Sequence, residues 1–150
     1  MSQKGKVNQL SNTDAAYIAG LIDGEGTITL SRKHRNENRQ LCVSISSTER
    51  PMLQFVFDTV GVGKITNKAT SSSRHAPSFT YAITNRQALM LLEIVSPWLR
   101  SYKKQRASLI LRDYVRLTPR NGKYSDALKQ ERKEFENELL ALKANYSRCS

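Results

Sequence analysis

Cysteine is scarce in this chain. Cys42 and Cys149 are the only two, far apart and without metal-type spacing. That excludes a disulfide framework, and both read as reduced thiols. Histidine is equally scarce. His34 and His75 fall in loops, where a phosphate contact or no role at all is expected. No window stays apolar for the roughly 18 residues a membrane span requires. Met1 to Leu10 is polar, carries only Lys4 and Lys6, and lacks an apolar signal-peptide core. An intracellular protein is expected, in cytoplasm, nucleoid or organelle matrix. No tandem repeat of solenoid length is visible. At 150 residues and 39% hydrophobic, residues 1–150 read as one domain with a real core.

Acidic residues are the other shortage. Thirteen Asp and Glu face 24 Lys and Arg, for a net charge of +11. From Asp126 onward the charges balance at five of each sign, so the excess lies in residues 1–125. A polyanion is the natural partner, and nucleic acid is the commonest. A plain cationic surface or anionic lipid is the alternative. No basic amphipathic helix with an exposed aromatic face supports the lipid version.

What is there centres on Ala15 to Gly26. Ala, Leu and Ile predict a helix over residues 12–24, capped by Asn12, Thr13 or Asp14. Ala16, Gly20 and Gly24 recur every four residues and share one bare face. Each Gly costs the helix about 1 kcal/mol relative to Ala. A face without side chains lets another backbone approach closely, so these three are the candidate dimer contacts. At its foot stands Glu25, between Gly24 and Gly26. Bare backbone on both sides leaves room for a metal and a phosphate. The bland alternative is a close-packed helix with a Gly-rich end and a solvated Glu.

The rest of the chain alternates hairpins and helices. Residues 1–11 read as a flexible arm. Thr27–Lys33 and Gln40–Ser46 alternate as half-buried strands, as do Lys64–Thr70 and Ser78–Thr84. Pro51 opens a helix that ends at Gly61-Val62-Gly63. Asn85 opens another, broken by Pro97. Residues 102–117 and 126 to about 144 complete the helices, with residues 126–150 as a C-terminal helical tail. The order is α-β-β-α-β-β-α plus tail, an α+β fold. Each strand has an apolar face for helices and a polar one. The polar side chains are Thr27, Thr29, Ser31 and Lys33; Gln40, Cys42, Ser44 and Ser46; Lys64, Thr66, Lys68 and Thr70; Ser78 and Thr80. Arg32, Arg35, Arg39 and Arg74 rim them, and Arg120 and Lys123 stand in a later basic loop. Short, varied donors and acceptors rimmed by cations suit base edges in a major groove with phosphates at the rim. Plain solvation is the alternative.

Ile18 to Gly26 reads Ile-Ala-Gly-Leu-Ile-Asp-Gly-Glu-Gly. It resembles the signature of the LAGLIDADG homing endonucleases, with Ile for the first Leu and Glu for the last Asp. The likeness extends over roughly residues 12–117 and is to the single-motif, homodimeric branch. It implies a saddle of curved antiparallel four-stranded sheets, helices on one face, and motif helices at the dimer interface. It implies Mg²⁺-dependent cleavage of double-stranded DNA at a long pseudo-palindromic site, across the minor groove with short 3′ overhangs, and an origin in a mobile intron or intein. Mn²⁺ or Ca²⁺ could occupy the metal position. By resemblance, Glu25 and the Gly24 carbonyl bind metal, and Asp23 is structural. Lys103, with Lys104 second, is the catalytic lysine, against two lysines merely solvated at a helix start. Ser47 and Arg50 align with a Gln and an Arg of the family. That is a departure at Ser47, and Glu49 stands as an alternative acid. Other LAGLIDADG folds serve as RNA maturases or DNA-binding regulators, which would need the basic sheet but not Glu25. A generic basic scaffold would leave both the motif and the polar sheet face unexplained.

Overall fold

The structure is a computed structural model that describes residues 5–68 and 77–144, Lys68 by its backbone. Thr70 and Arg74 lie outside the described residues. The elements run α1 (Asn12–Glu25), β1 (Gly26–Ser31), β2 (Gln40–Ser47), α2 (Arg50–Val60), β3 (Lys64–Lys68) and β4 (Ser78–Thr84). Then come α3 (Asn85–Val95), a 3₁₀ turn (Ser96–Trp98), α4 (Lys103–Asp113) and α5 (Asp126–Ala141). This is the expected order. The four strands form one open antiparallel sheet, β1-β2-β4-β3.

Alternation decides which sheet face is buried. Ile28, Leu30, Leu41, Val43, Ile45, Tyr81 and Ile83 point to one side and are at most 1% exposed. They meet Ile18 and Ile22 of α1, Leu53 and Val56 of α2, and Leu91 and Leu92 of α3. Full burial of each such side chain contributes about 1.5–3 kcal/mol, so the register of every strand is held by its apolar set. α4 and α5 pack on β1, at the sheet edge.

Several boundaries differ from expectation. The cap of α1 is Ser11, whose Oγ accepts from Asp14 N–H at 3.2 Å. Asn12, Thr13 and Asp14 are already inside the helix. β1 stops at Ser31, so Lys33 lies in the hairpin loop. α4 ends at Asp113 and passes into turns. α5 ends at Ala141, where Leu142 turns extended. Residues 5–11, expected as an arm, are docked. Asn8 N–H donates to Val60 O at 2.9 Å and Asn8 Nδ2 to Thr59 O at 3.3 Å. Val7 and Leu10 pack against the core. These two isolated apolar residues gave too short a pattern to read as an element. No helix among the described residues is long and apolar enough to cross a membrane.

Candidate functional site

The end of α1 is built from both sides. A helix C-terminus leaves carbonyls without intrahelical partners and carries partial negative charge. Lys103, at the start of α4 and 8% exposed, answers both. Its Nζ donates to Ile22 O at 2.8 Å and to Asp23 O at 2.9 Å. Burial lowers its pKa, against the nearby Asp23 and Glu25 carboxylates, which raise it. Asp23 in turn ties α1 to the segment before α4. It accepts from Arg100 N–H at 2.8 Å, Ser101 N–H at 3.1 Å and Ser101 Oγ at 2.6 Å. Burial alone would raise the Asp23 carboxyl, but these hydrogen bonds and Lys103 bring it below its ordinary value. Lys104 is exposed and approaches only Pro97 O. Lys103 is therefore the lysine that faces the motif.

With Asp23 and Lys103 committed, Glu25 is left over. It is exposed and makes no hydrogen bond or ion pair among the described residues. The two glycines beside it differ. Gly24 is open, with nothing within 4 Å of an added Cβ. At Gly26 a Cβ would stand 2.6 Å from Ile22 Cα and 3.0 Å from Ser44 O. Gly26 is bare because helix and sheet backbones meet there, and Gly24 alone leaves open space.

Glu25 lines a cleft of about 550 Å³ with Leu21, Ser46, Ser47, Thr48, Met52 and Ser78. Ser47 thus shares the cleft. Its Oγ accepts from Glu49 N–H at 3.0 Å, in the turn that starts α2. Arg50 does not line it. Its guanidinium sits 6.0 Å from the Phe79 ring centre and donates to Gln54 Oε1 at 3.3 Å. Glu49 is exposed immediately before α2. No group of three His, Cys, Asp or Glu assembles among the described residues.

The uncovered sheet face is a set of rungs. Thr27 pairs with Ser44, Ser44 with Ala82, and Ala82 with Lys64. Ser46 pairs with Thr80 and Thr80 with Thr66. Ser46 Oγ and Thr80 Oγ1 share a 2.8 Å hydrogen bond. Thr29, Cys42 and Thr84 form another rung, Ser31 pairs with Gln40, and Ser78 with Lys68. Exposed Thr84 was absent from the expected set, although the parity of Ser78 and Thr80 points to it. Burial raises the Cys42 thiol, which stays protonated on this face. Lys33, Arg35 and Lys64 are exposed. Arg120 lines a cleft of about 600 Å³ with Thr84, Asn85 and Arg86, so its loop stands at the Thr84 end of the sheet, and Lys123 is exposed nearby in sequence. Arg39 does not join the rim. Its Nη1 turns back to Leu30 O at 3.4 Å, on the outer edge of β1.

The small-residue face of α1 is open. Gly20 and Gly24 are exposed, Ala16 is half-buried, and a Cβ at Gly20 would meet nothing within 4 Å. Tyr17, 47% exposed, stacks edge-on against Phe55 of α2, 39% exposed, with ring centres 5.5 Å apart.

A helix of this kind, ending in a free acid beside an uncovered polar antiparallel sheet, defines an α+β class with helices on one sheet face only. The model of the LAGLIDADG-like domain matches residues 12–93, and the chain belongs to that family. The match ends before α4, so Lys103 lies outside it. The fold is that of homing endonucleases. I-CvuI, solved with its target DNA in the presence of Ca, is 16% identical, with a TM-score of 0.71 over 93% of this chain and 87% of that one. The archaeal intron-encoded homing endonuclease I-Vdi141I, complexed with DNA, is 19% identical, with a TM-score of 0.68 over 93% and 89%. The LAGLIDADG meganuclease I-AabMI, bound to uncleaved DNA, is 22% identical, with a TM-score of 0.62 over 89% of this chain and 46% of that one. At these identities the likeness is one of fold. No curated protein sequence matches the chain.

Proposed function

We propose that this chain is a site-specific double-strand DNA endonuclease that acts as a homodimer and uses a hard divalent cation. The observation that carries the reading is Glu25. It is the one acid at the motif helix end left without a structural partner, and it stands in a cleft that borders the polar sheet face. Solved neighbours bound to DNA support the same reading, I-CvuI among them in complexes with Ca and with Mg, the Mg complex holding DNA not cleaved.

The donor set fits a hard cation. The Glu25 carboxylate and the Gly24 carbonyl are both oxygens, and Mg²⁺ takes one or two carboxylates while keeping waters and substrate phosphates. Mn²⁺ or Ca²⁺ suits the same oxygens. Such an ion, when bound, supplies charge relief at the phosphate and a more acidic water. Everything else falls to this chain. Lys103 holds the α1 end that presents Glu25. Ser47 accepts from Glu49 N–H and keeps its own proton to orient a water in the cleft. Arg50 offers a phosphate contact at the start of α2. The polar rungs read base edges, and Lys33, Arg35, Lys64 and Arg120 hold phosphates.

One acid per chain implies two chains for two strands. The open Ala16, Gly20 and Gly24 face lets two motif helices approach closely and brings both Glu25 side chains to the two-fold axis. A two-fold dimer reads a pseudo-palindromic site. The same reading makes this an intracellular protein with an origin in a mobile intron or intein.

The test is incubation of the protein with long random duplexes, with Mg²⁺ and with EDTA, followed by sequencing of the cut ends. The proposal expects Mg²⁺-dependent cuts at a two-fold-related site. Enrichment of one sequence without cutting would instead make the chain a DNA-binding regulator. Preference for structured RNA would make it a maturase.

A further inference from the structure

Arg132 and Glu136 sit one turn apart on α5, and both are spent on one distant residue. Glu136 Oε1 accepts from Arg39 N–H at 2.9 Å. Arg132 Nη2 donates to Arg39 O at 2.5 Å, across 93 residues of sequence. The main chain of Arg39 is therefore held on both its donor and its acceptor, as a neighbouring strand would hold it. The Arg39 side chain adds a third tie, to Leu30 O.

The clamp is itself braced. Arg132 is 2% exposed. Its Nη1 donates to Leu117 O at 2.8 Å and to Thr118 Oγ1, and its guanidinium lies 5.4 Å from the Tyr114 ring centre. Its Nε stays 3.7 Å from Glu136 Oε1 and finds no hydrogen-bond partner among the described residues. A buried cation that leaves one donor unmatched is a poor device for stability alone, since apolar packing often does as well. What it adds is a defined position for Arg39.

That position matters because Arg39 is the last residue before β2. The preceding loop carries Lys33 and Arg35, and the strand it feeds opens with Gln40, paired with Ser31. This end of the sheet lies five residues from Gly26, or about 17 Å at strand rise, which is roughly five base steps from Glu25. We propose that Arg132 and Glu136 are positioning residues that set the register of the β1–β2 hairpin on DNA, and so its base preference at the outer half-site. The inference rests on the DNA-binding reading above.

The experiment pairs two readouts on the full chain. Hydrogen exchange without DNA tests the clamp. In Glu136→Ala the Arg39 amide should exchange about tenfold faster or more, the expected consequence of losing one charge-assisted hydrogen bond. Glu136→Gln, which keeps an acceptor oxygen, should restore most of the protection. Position-by-position base preference tests the role. Glu136→Ala should flatten preference about tenfold at the outer positions read by Ser31 and Gln40, which the phosphate contacts of Lys33 and Arg35 flank. Preference at the inner positions under Ser46 and Thr80 should stay. Arg132→Met, which keeps the packing on Tyr114, serves as the second variant. A uniform loss at all positions, or an unchanged profile, would overturn the proposal. If the unaltered chain bound no DNA, the functional reading would fail and the register role with it. The exchange result would then stand as a statement about the fold.

Discussion

The end of α1 and the base of the β1–β2 hairpin are built with the same device and put to opposite uses. In both, a buried cation donates to main-chain carbonyls. Lys103 serves Ile22 and Asp23; Arg132 serves Leu117 and Arg39. In both, an acid accepts from main-chain N–H groups: Asp23 from Arg100 and Ser101, and Glu136 from Arg39. At the hairpin base the acid of the clamp, Glu136, is committed, Arg132 Nε stays unmatched among the described residues, and Glu37 is exposed in the hairpin loop. At the end of α1 a second acid, Glu25, remains exposed beside the satisfied pair. Its place at the foot of the motif helix, in the cleft with Ser46, Ser47 and Ser78, sets it apart from the exposed Glu37, more than the burial of a lysine does. Arg106 extends the lesson. It is 7% exposed and donates to Ile28 O at 2.7 Å, on the outer edge of β1, and to Leu142 O at 2.8 Å. An edge strand that would otherwise offer bare carbonyls is thus sealed. Several cations behind the net charge of +11 serve the fold and cannot serve a polyanion.

The comparison can be broken first at the sealed side. Arg132→Met leaves the Leu117 and Arg39 carbonyls unanswered and takes away the cation beside Glu136, and should cost about 3 kcal/mol or more, measured by denaturant unfolding. A cost below 1 kcal/mol would mean that water fills the gap easily. On the open side, Asp23→Asn should cost about 1–3 kcal/mol, from weakened charge-assisted hydrogen bonds. Because the folded Asp23 carboxyl lies below its ordinary value, its contribution is complete above the unfolded pKa and is lost as pH falls through the folded one. The Asn variant should therefore show a shallower acid limb in thermal melts. An identical limb would assign the acid sensitivity elsewhere.

Gly20→Leu separates the protomer from its assembly. The position is open in the protomer, so the helix should gain up to about 1 kcal/mol, while the close approach of a second helix is blocked. Sedimentation should then report a monomer. A dimer of unchanged affinity would exclude the α1 face. The smallest effect concerns the two kinds of cation. Lys33→Ala should reduce the salt slope of DNA binding by about one phosphate's worth. Arg39→Ala should leave the slope nearly unchanged, since its guanidinium faces Leu30 O. Equal slopes for both would mean that Arg39 meets DNA as Lys33 does.

Much of this was readable in the chain because it is local. Apolar residues two apart specified the strands, and Pro51, Gly61 and Pro97 marked helix ends where the structure has them. The nine residues ending at Gly26 located the acid. Parity also places Thr84 on the polar face, two residues beyond Ala82. What was not readable depends on partners distant in sequence. Arg39 looks like a rim cation until Arg132 and Glu136 are folded against it. Gly26 and Gly24 look equivalent until β2 passes beside one of them. Val7 and Leu10 cannot be assigned to the core by any period, because the cluster they pack against is assembled from several elements of the chain.

The proposed function requires that Glu25 be free for chemistry while Asp23 and Lys103 hold the helix end. The most direct test is Glu25→Gln, assayed for cleavage and for specific binding on one selected target. Cleavage should fall below detection, with binding within a few-fold of the unaltered protein and an unchanged melting temperature. Retained cleavage, or loss of folding and binding together with cleavage, would contradict it and make Glu25 a structural residue.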